Sequence, residues 1–260
     1  MTTLLVDAGN SRLKWALLSN GQRTAQTARQ HAPSQPSAAT LEYLHRLLKQ
    51  TSPKQLLMVH VFGQKFSHAV QQLCKDYHCS YKPIVSHSPA YGLTLAYPKA
   101  EHLGADRFVG LLAARKLAPQ QATIIIDCGT AVTIDVLRAN GEHLGGLILP
   151  GLNMMSEALT QRTEASHMIE PIMEPVSLLS NNTRQAMGSG CVLGLASAVD
   201  GICQRLLPQL AEPCHIILCG GDAEHLHDHI TVKHSVNADA LMAGLHYIAE
   251  QEEERACRSC

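Results

Sequence analysis

Residues 3–18 read TLLVDAGNSRLKWALL, and residues 123–138 read TIIIDCGTAVTIDVLR. Each stretch has a run of strand-forming residues, then Asp-x-Gly, then a second run with strand character. The pattern predicts two β-hairpins in which Asp7 corresponds to Asp127, at an offset of 120 residues. Because one unit occurs twice, the chain is predicted to consist of two similar lobes.

Outside the hairpins, strand and helix patterns alternate along the chain, which is typical of an α/β protein. Pro119 breaks a helical pattern between the repeats, so we predict an N-terminal lobe of residues 1–118 and a C-terminal lobe of residues 119–260. A long helical pattern covers residues 183–210, and a last one covers residues 238–253. We expect the apolar face of the last helix to pack on the core.

Composition excludes several classes of protein. Apolar residues make up 45% of the 260 residues, which favours a folded chain. Lysine and arginine number 21 against 22 acidic residues, so a general nucleic-acid-binding surface is not expected. The apolar runs are far shorter than the roughly 20 residues that span a bilayer, and residues 1–11 do not resemble a signal peptide. We therefore predict a cytoplasmic protein that binds neither nucleic acid nor membrane.

The chain has nine cysteines and fifteen histidines. An odd number of scattered cysteines argues against a disulfide framework. Six of them lie in or beside apolar runs and are predicted to be small buried hydrophobes: Cys74, Cys128, Cys191, Cys203, Cys214 and Cys219. We do not interpret the terminal Cys257-x-x-Cys260 or the segment from His225 to His229 as a metal site, because the latter has a helical pattern.

An Asp-x-Gly turn between strands brings a carboxylate and several backbone N–H groups into a small space. Glycine lets a phosphate approach the backbone, and Asn10, Ser11 and Lys14 add polar and cationic groups to the first turn. A carboxylate such as Asp7 suits Mg²⁺ beside a nucleotide phosphate. Two such turns in one chain favour a site that binds a polyphosphate.

Between the hairpins, the segment from Leu103 to Arg107 leads into an apolar helix. Two readings remain open for its charged residues. In the first, Asp106 and Arg107 are only capping and charged residues at the start of a helix. In the second, Asp106 accepts a proton from an attacking hydroxyl and Arg107 binds a carboxylate. Arg107 can equally brace Asp106.

Together these segments resemble type III pantothenate kinases, members of the superfamily of actin, sugar kinases and heat-shock ATPases. The motifs that carry the resemblance are Asp7-Ala8-Gly9-Asn10-Ser11, Gly104-Ala105-Asp106-Arg107, Asp127-Cys128-Gly129-Thr130-Ala131, Gly145-Gly146 before Pro150-Gly151, and Asn182-Thr183. The resemblance implies a duplicated ribonuclease-H-like (actin-like ATPase) fold. It also implies transfer of the ATP γ-phosphate to pantothenate, the first step toward coenzyme A, by a homodimer.

The resemblance also implies site residues. Phosphate or ATP contacts fall on Asp7, Ala8, Gly9, Asn10, Ser11, Arg12, Leu13, Lys14, Gly129, Thr130, Gly220 and Gly221. Pantothenate contacts fall on Tyr97, Gly104, Ala105, Asp106, Arg107 and Thr183, the last supplied across the dimer. Asp106 corresponds to the catalytic base, Asp7 lies near Mg²⁺, and Asp127 corresponds to the ligand of a monovalent cation, K⁺ or NH₄⁺.

Two positions depart from the family pattern. Ser11 stands where many members have threonine, and His60 and Phe62 replace an expected small, serine-rich strand end. Two other readings remain: another kinase or phosphatase of the superfamily, and a non-catalytic regulator. The Gly104 to Arg107 segment with Tyr97 before it argues against the first, and the intact Asp7, Asp106 and Asp127 argue against the second.

Overall fold

The computed structural model describes residues 2–30, 36–161 and 175–258. The chain divides into one unit of Met1–Pro119 with Asp239–Cys260 and a second unit of Gln120–Ala238. The boundary between Pro119 and Gln120 lies next to the boundary that we predicted after residue 118. Residues 239–260, however, group with the first unit, whereas the sequence analysis placed them in the C-terminal lobe.

The elements are numbered along the described residues. The strands are β1 (Thr2–Ala8), β2 (Arg12–Ser19), β3 (Gln22–Arg23), β4 (Thr27–Gln30), β5 (Gln55–His60), β6 (Ser80–Pro83), β7 (Ala122–Cys128), β8 (Ala131–Leu137), β9 (His143–Pro150), β10 (Cys214–Cys219) and β11 (Ser235–Val236). The helices are α1 (Pro36–Thr51), α2 (Gly63–Asp76), α3 (Ala105–Leu117), α4 (Leu152–Gln161), α5 (Thr183–Leu210), α6 (Ala223–His227) and α7 (Ala240–Arg258).

The sheet of the first unit has the strand order β3-β2-β1-β5-β6, with β4 beside β2. Strands β1 and β2 form an antiparallel hairpin, and β5 and β6 run parallel to β1. Leu4, Val6 and Ala8 pack with buried residues of α1 and α2. Because side chains alternate along a strand, Asp7 points to the opposite face, which α3 and α7 cover through contacts with β5 and β1.

Helix α7 joins the first unit through a close approach to α3. A Cβ atom at Gly244 would collide with the backbone carbonyl oxygen of Val109 and would lie 3.1 Å from the Ala113 nitrogen. The apolar face of α7, formed by Leu241 and its neighbours at helical spacing, is buried as predicted. The missing side chain of Gly244 therefore explains how the last helix packs tightly in the unit that contains the first hairpin.

The second unit repeats this topology with the strand order β9-β8-β7-β10-β11. Again a hairpin, β7 and β8, is followed by parallel strands. Ile124, Ile126 and Cys128 pack with buried residues of α5, so Asp127 points to the other face, as Asp7 does. The predicted duplication of an α/β unit with a mixed sheet is confirmed.

Helix α5 is the main helix of the second core. Its length and composition alone would allow it to cross a membrane, but half of its apolar window is buried, and core helices of soluble proteins pass the same test. Val192, Leu195 and Val199 of α5 are among the residues buried against the sheet. The helix therefore serves as core in the second unit.

Asp200 on α5 anchors the segment that follows α6. Its carboxylate accepts hydrogen bonds from the backbone nitrogens of Thr231 and Val232, each at 2.9 Å, and from Oγ1 of Thr231 at 2.8 Å. Burial acts to raise the pKa of Asp200, but these hydrogen bonds hold the pKa below its usual value. The ionised form is therefore the one that the fold stabilises.

The cysteines are largely interior. The buried cysteines are Cys74, Cys79, Cys128, Cys191, Cys203 and Cys219. The predicted burial is confirmed for five of these, while Cys214 is half-buried. Cys257 is exposed at the end of α7, and Cys260 lies outside the described residues.

Candidate active site

The first Asp-x-Gly turn joins β1 to β2 through residues 9–11. It is closed by a hydrogen bond from the backbone N–H of Gly9 to the carbonyl oxygen of Arg12, at 3.1 Å. Asn10 and Ser11 are exposed at its tip. The turn therefore presents small polar side chains and backbone groups to solvent, which are the groups that bind a phosphate.

Asp7 lies at the end of β1 and directly opposes Lys14 of β2. Opposed residues of an antiparallel pair project from the same face. Nζ of Lys14 lies 4.0 Å from Oδ2 of Asp7, and Asp7 is only 7% exposed. A cation and a hard oxygen donor therefore lie side by side next to the turn.

The first turn of α3 holds Asp106. Its Oδ1 accepts a hydrogen bond from the backbone N–H of Arg107, at 2.8 Å, so the carboxylate satisfies one of the helix's initial amides. A Cβ atom at Gly104 would lie 2.5 Å from the same Oδ1. A side chain at residue 104 would therefore force the Asp106 carboxylate to move from this position.

A buried serine, which the sequence analysis did not single out, holds the backbone before Asp106. Oγ of Ser86 donates a hydrogen bond to the carbonyl oxygen of Leu103 at 2.8 Å and lies 3.3 Å from that of Gly104. Serine in a polar stretch carries no pattern that would reveal this role. Ser86 is thus a positioning residue for the start of α3.

Arg107 is almost entirely buried, and Tyr97 positions its guanidinium group. Nη1 of Arg107 donates a hydrogen bond to the hydroxyl oxygen of Tyr97, at 3.0 Å. The guanidinium carbon also lies 5.7 Å from the centre of the Tyr97 ring, which adds a cation–π contact. The structure therefore brings together the tyrosine and arginine that the sequence analysis assigned to one substrate.

The second Asp-x-Gly turn is one residue shorter than the first. Residues 129–130 join β7 to β8, and the backbone N–H of Gly129 donates to the carbonyl oxygen of Ala131, at 3.2 Å. Thr130 is exposed at the tip. Both turns thus start with a glycine amide that closes the loop.

The shorter turn changes which residue faces the aspartate. Asp127 opposes Thr133, whereas Asp7 opposes Lys14. A constant offset of 120 residues would have made Ile134 the counterpart of Lys14. The second copy therefore has a hydroxyl where the first has a cation.

Gly151 connects the second turn to the start of α4 by a backbone hydrogen bond. Its backbone N–H donates to the carbonyl oxygen of Thr130, at 3.2 Å. A Cβ atom here would collide with the carbonyl oxygen of Gly129 and would lie 2.5 Å from that of Thr130. The glycine of the Pro-Gly motif is thus required by a close approach of two backbones.

Gly220 follows β10 and lies against the end of β7. A Cβ atom at this position would collide with Oδ1 of Asp127 and with the carbonyl oxygen of Cys128, and its φ of +95° favours glycine. The same carbonyl accepts a hydrogen bond from the backbone N–H of Asp222, at 2.9 Å. Two oxygen atoms therefore converge where only hydrogen atoms of glycine fit.

The remaining predicted residues of the second unit lie at element ends. Gly221 is half-buried just before α6, and Thr183 is exposed as the first residue of α5. The side chain of Asn182 caps α5 by accepting a hydrogen bond from the Gln185 nitrogen, at 3.0 Å. Thr183 lines an open cavity of about 610 Å³ together with Asn181 and neighbouring α5 residues.

His60 and Phe62, which depart from the family pattern at the end of β5, form an aromatic cluster with Phe66. His60 pairs with Ala8 and so shares the face of the sheet that packs on α2, the face opposite to Asp7. Its ring lies 4.9 Å from that of Phe66, and the Phe62 and Phe66 rings are 4.8 Å apart. His60 and Phe62 therefore extend the core instead of replacing a polar wall beside Asp7.

Within the first unit, the structure brings together Asp7 with Lys14 and the Gly104 to Arg107 segment with Tyr97. Within the second unit, it brings together Asp127 with Gly220 and the second turn with Gly151. Among the described residues, no cluster of three or more histidine, cysteine or acidic side chains has the arrangement of a metal site. The groups available for chemistry are oxygen donors, backbone amides, the buried Arg107 and the half-buried Lys14.

A profile of the type III pantothenate kinase family matches residues 3–205. The type III pantothenate kinase of Nitrosococcus oceani is 32% identical over 254 residues, which cover 95% of this chain and 93% of that protein. The type III pantothenate kinase of a Janthinobacterium species is 31% identical and covers 95% of this chain and 97% of that protein.

Among solved structures, a Campylobacter jejuni protein described as a Baf family transcriptional activator has a TM-score of 0.61 at 18% identity, covering 96% of this chain and 99% of that one. At this identity the likeness shows the fold alone. The fold is the actin-like ATPase fold that the family resemblance implied.

Proposed function

This chain belongs to the type III pantothenate kinases, ATP-dependent kinases of coenzyme A biosynthesis, and we propose how its residues transfer the γ-phosphoryl group to pantothenate. The observation that carries the proposal is the fixed start of α3, where Asp106 and Arg107 are held by their neighbours. Phosphoryl transfer requires positioning and charge stabilisation more than covalent chemistry by the protein. The following roles meet those requirements.

Asp106 is the general base. It accepts the proton of the primary hydroxyl of pantothenate while that oxygen attacks the γ-phosphorus. The hydrogen bond from the Arg107 backbone holds the carboxylate in place, and Gly104 leaves it room. A base that is oriented before the substrate arrives contributes typically 10²- to 10⁴-fold, and ~10³-fold is a fair expectation here.

Arg107 binds the carboxylate of pantothenate, with Tyr97 beside it. A guanidinium group presents five N–H donors in one plane and pairs well with a carboxylate. The hydrogen bond and ring contact of Tyr97 fix the orientation of that plane. Ala105 supplies backbone contacts in the same segment, and Thr183 contacts pantothenate from the partner subunit.

The two turns hold the phosphates. In the first, the backbone of residues 8–13 and the side chains of Asn10 and Ser11 contact phosphate oxygens, and Lys14 adds a positive charge. In the second, Gly129 and Thr130 take the equivalent part. Gly220 and Gly221 contribute backbone contacts on the adenosine side of the nucleotide.

Asp7 is the residue that would hold Mg²⁺, directly or through water. A carboxylate is the oxygen donor that Mg²⁺ prefers, and its neighbour Lys14 adds a second positive charge for the phosphates. A bound Mg²⁺ would neutralise charge that develops on the phosphates. The role of the chain is to keep this carboxylate oriented on one face of the sheet.

Asp127 would hold the monovalent cation, K⁺ or NH₄⁺. The donor chemistry fits such an ion, since Asp127 supplies a carboxylate oxygen and Cys128 a carbonyl oxygen, and both oxygens lie against Gly220. If Asp127→Ala left the dependence of activity on K⁺ or NH₄⁺ unchanged, this assignment would be wrong.

We further propose that the working unit is a homodimer formed through the second unit. Strand β9 is an edge strand, and Leu147 and Ile148 on it are 49% and 64% exposed. Met154 and Leu159 on the following helix are also exposed. An apolar edge of this kind is usually covered by a partner.

The test is a coupled assay of ADP release by the purified chain with ATP, Mg²⁺ and K⁺. We expect release with pantothenate and none above background with a panel of other primary alcohols. Comparable turnover with a sugar would favour another kinase of the superfamily. Absence of ADP release with every alcohol would favour the regulatory reading. A cytoplasmic location also remains our prediction.

A further inference from the structure

The end of helix α2 brings two cysteines together. His78 has a left-handed backbone with φ of +51°, and its N–H donates to the carbonyl oxygen of Lys75 at 3.1 Å. The N–H of Cys79 donates to the carbonyl oxygen of Cys74 at 2.9 Å. This pair of hydrogen bonds defines a Schellman motif, in which the residue after the left-handed one packs on a residue of the last helical turn.

In most helices that contact is between two apolar side chains. Here the two positions are Cys74 and Cys79, and both side chains belong to the same buried cluster of the first unit. Both are free thiols and both are buried. The local geometry of the helix end therefore creates a dithiol without help from distant residues.

The two thiols differ in character. The neighbouring thiol of Cys74 lowers the pKa of Cys79, whereas the neighbouring thiol of Cys79 and burial raise the pKa of Cys74. Cys79 is 7% exposed and lies between the exposed residues His78 and Ser80, while Cys74 is 1% exposed. Cys79 is thus the thiolate that a small molecule meets first, and Cys74 lies behind it.

We propose that Cys74 and Cys79 are a reversible modification site that a small-molecule disulfide oxidises to an intramolecular disulfide bond. The Cys79 thiolate attacks one sulfur of the small disulfide, forms a mixed disulfide and releases one small thiolate. The Cys74 thiol loses its proton and attacks Cys79, which releases the second small thiolate. Two electrons pass from the dithiol to the small disulfide, which becomes two thiols.

Tryptic peptides make the product easy to recognise. Trypsin cleaves after Lys65 and Lys75 but not between Lys82 and Pro83, so Cys74 and Cys79 fall on two peptides, residues 66–75 and 76–99. Each peptide contains a single cysteine. The full chain is treated with oxidised glutathione, denatured, alkylated with N-ethylmaleimide, digested and examined by mass spectrometry.

We expect the two peptides to appear joined and to separate after reduction with dithiothreitol. The Cys79→Ser variant should lose the joined pair, and the Cys74→Ser variant should keep a glutathione adduct on Cys79. Exposed Cys257 is the internal control, since its adduct shows that the reagent is active. Thermal unfolding of each variant verifies that the fold is retained.

Alkylation of both Cys74 and Cys79 in a wild-type chain that carries glutathione on Cys257 would overturn the proposal. A lasting glutathione adduct on wild-type Cys79, with Cys74 alkylated, would also overturn it, because the second thiol would then fail to reach the first. Neither outcome depends on kinase activity, so this test is separate from that of the proposed function.

Discussion

Asp7 and Lys14 face each other across the first hairpin, with the lysine nitrogen 4.0 Å from the carboxylate. In the second hairpin the residue opposite Asp127 is Thr133. The duplicated unit thus keeps its aspartate and glycine in both copies but places a cation beside the aspartate in the first. We infer that the first hairpin supplies a positive charge to the phosphates, while the second supplies oxygen donors to the monovalent cation.

Replacement of Lys14 by methionine should raise KM for ATP and lower kcat. A hydrogen bond between charged groups contributes about 1.5–3 kcal/mol, which corresponds to roughly a tenfold to hundredfold loss in kcat/KM. Steady-state kinetics with varied ATP check this. Lys65→Met, at an exposed position of α2, is the matched control and should leave both constants unchanged. Equal kinetics for the two variants would remove Lys14 from the phosphate site.

Replacement of Asp106 by asparagine should reduce kcat by about 10²- to 10⁴-fold, because the amide accepts no proton at neutral pH. The amide oxygen can still accept the hydrogen bond from the Arg107 backbone, so the start of α3 should keep its shape. The rate of pantothenate phosphorylation is the measurement. Glu101→Gln, an exposed acid just before the same helix, should keep the wild-type rate. A rate close to that of the wild type for Asp106→Asn would exclude Asp106 as the general base.

Replacement of Gly220 by alanine should destabilise the chain and abolish activation by K⁺. The new Cβ atom meets two oxygen atoms, and the positive φ adds strain of about 1–3 kcal/mol. Urea unfolding measures the first effect, and activity at varied K⁺ measures the second. Gly190→Ala is the control, since nothing lies within 4 Å of its Cβ position in α5. It should stabilise the helix by about 1 kcal/mol.

The stability of the second unit should fall in acid through Asp200. Its pKa is lower in the folded chain than in the unfolded chain, so its contribution is full above the unfolded pKa and disappears as the pH falls through the folded pKa. At pH 7, Asp200→Asn should cost about 1.5–3 kcal/mol.

The difference between the wild type and Asp200→Asn should shrink on acidification, as followed by urea unfolding at several pH values. Asp228→Asn, at an exposed position in the same unit, is the control and should change stability little at any pH. A difference between wild type and Asp200→Asn that stays constant down to the acid range would contradict the role of the ionised carboxylate.

Replacement of Ile148 by aspartate should convert the proposed dimer to a monomer, because it places a charge in the apolar edge of β9. Light scattering coupled to size-exclusion chromatography gives the mass. Val85→Asp introduces the same charge at a position that is 62% exposed in the first unit and should leave the mass unchanged. A dimer that survives Ile148→Asp would place the interface elsewhere.

Several elements could be predicted from the sequence because their signals are local. The two hairpins follow from strand-forming runs around Asp-x-Gly, and α5 covers Thr183–Leu210, the range that its apolar spacing indicates. The burial of Leu241 and Leu245 follows from helical periodicity. These patterns depend on neighbours within a few residues, and those neighbours are visible in the chain itself.

Other features depend on contacts between distant segments. No sequence pattern reveals the hydrogen bonds of Ser86 to the start of α3, or the approach of Gly244 to Val109 that places the last helix in the first unit. The offset of 120 residues that relates Asp7 to Asp127 also does not extend to Lys14, whose counterpart is Thr133 because the second turn is shorter. In each case the deciding partner is far away in sequence or depends on strand register.

Short motifs and periodic apolar residues encode the family, the duplicated α/β unit and the charged residues of the site, so these features can be recognised in the chain before it is folded. The folded structure is needed to show which oxygen atoms converge at Gly220, which residue opposes each aspartate, and that Tyr97 binds Arg107. Strand register, close backbone approaches and hydrogen bonds between distant segments arise only when the chain has folded.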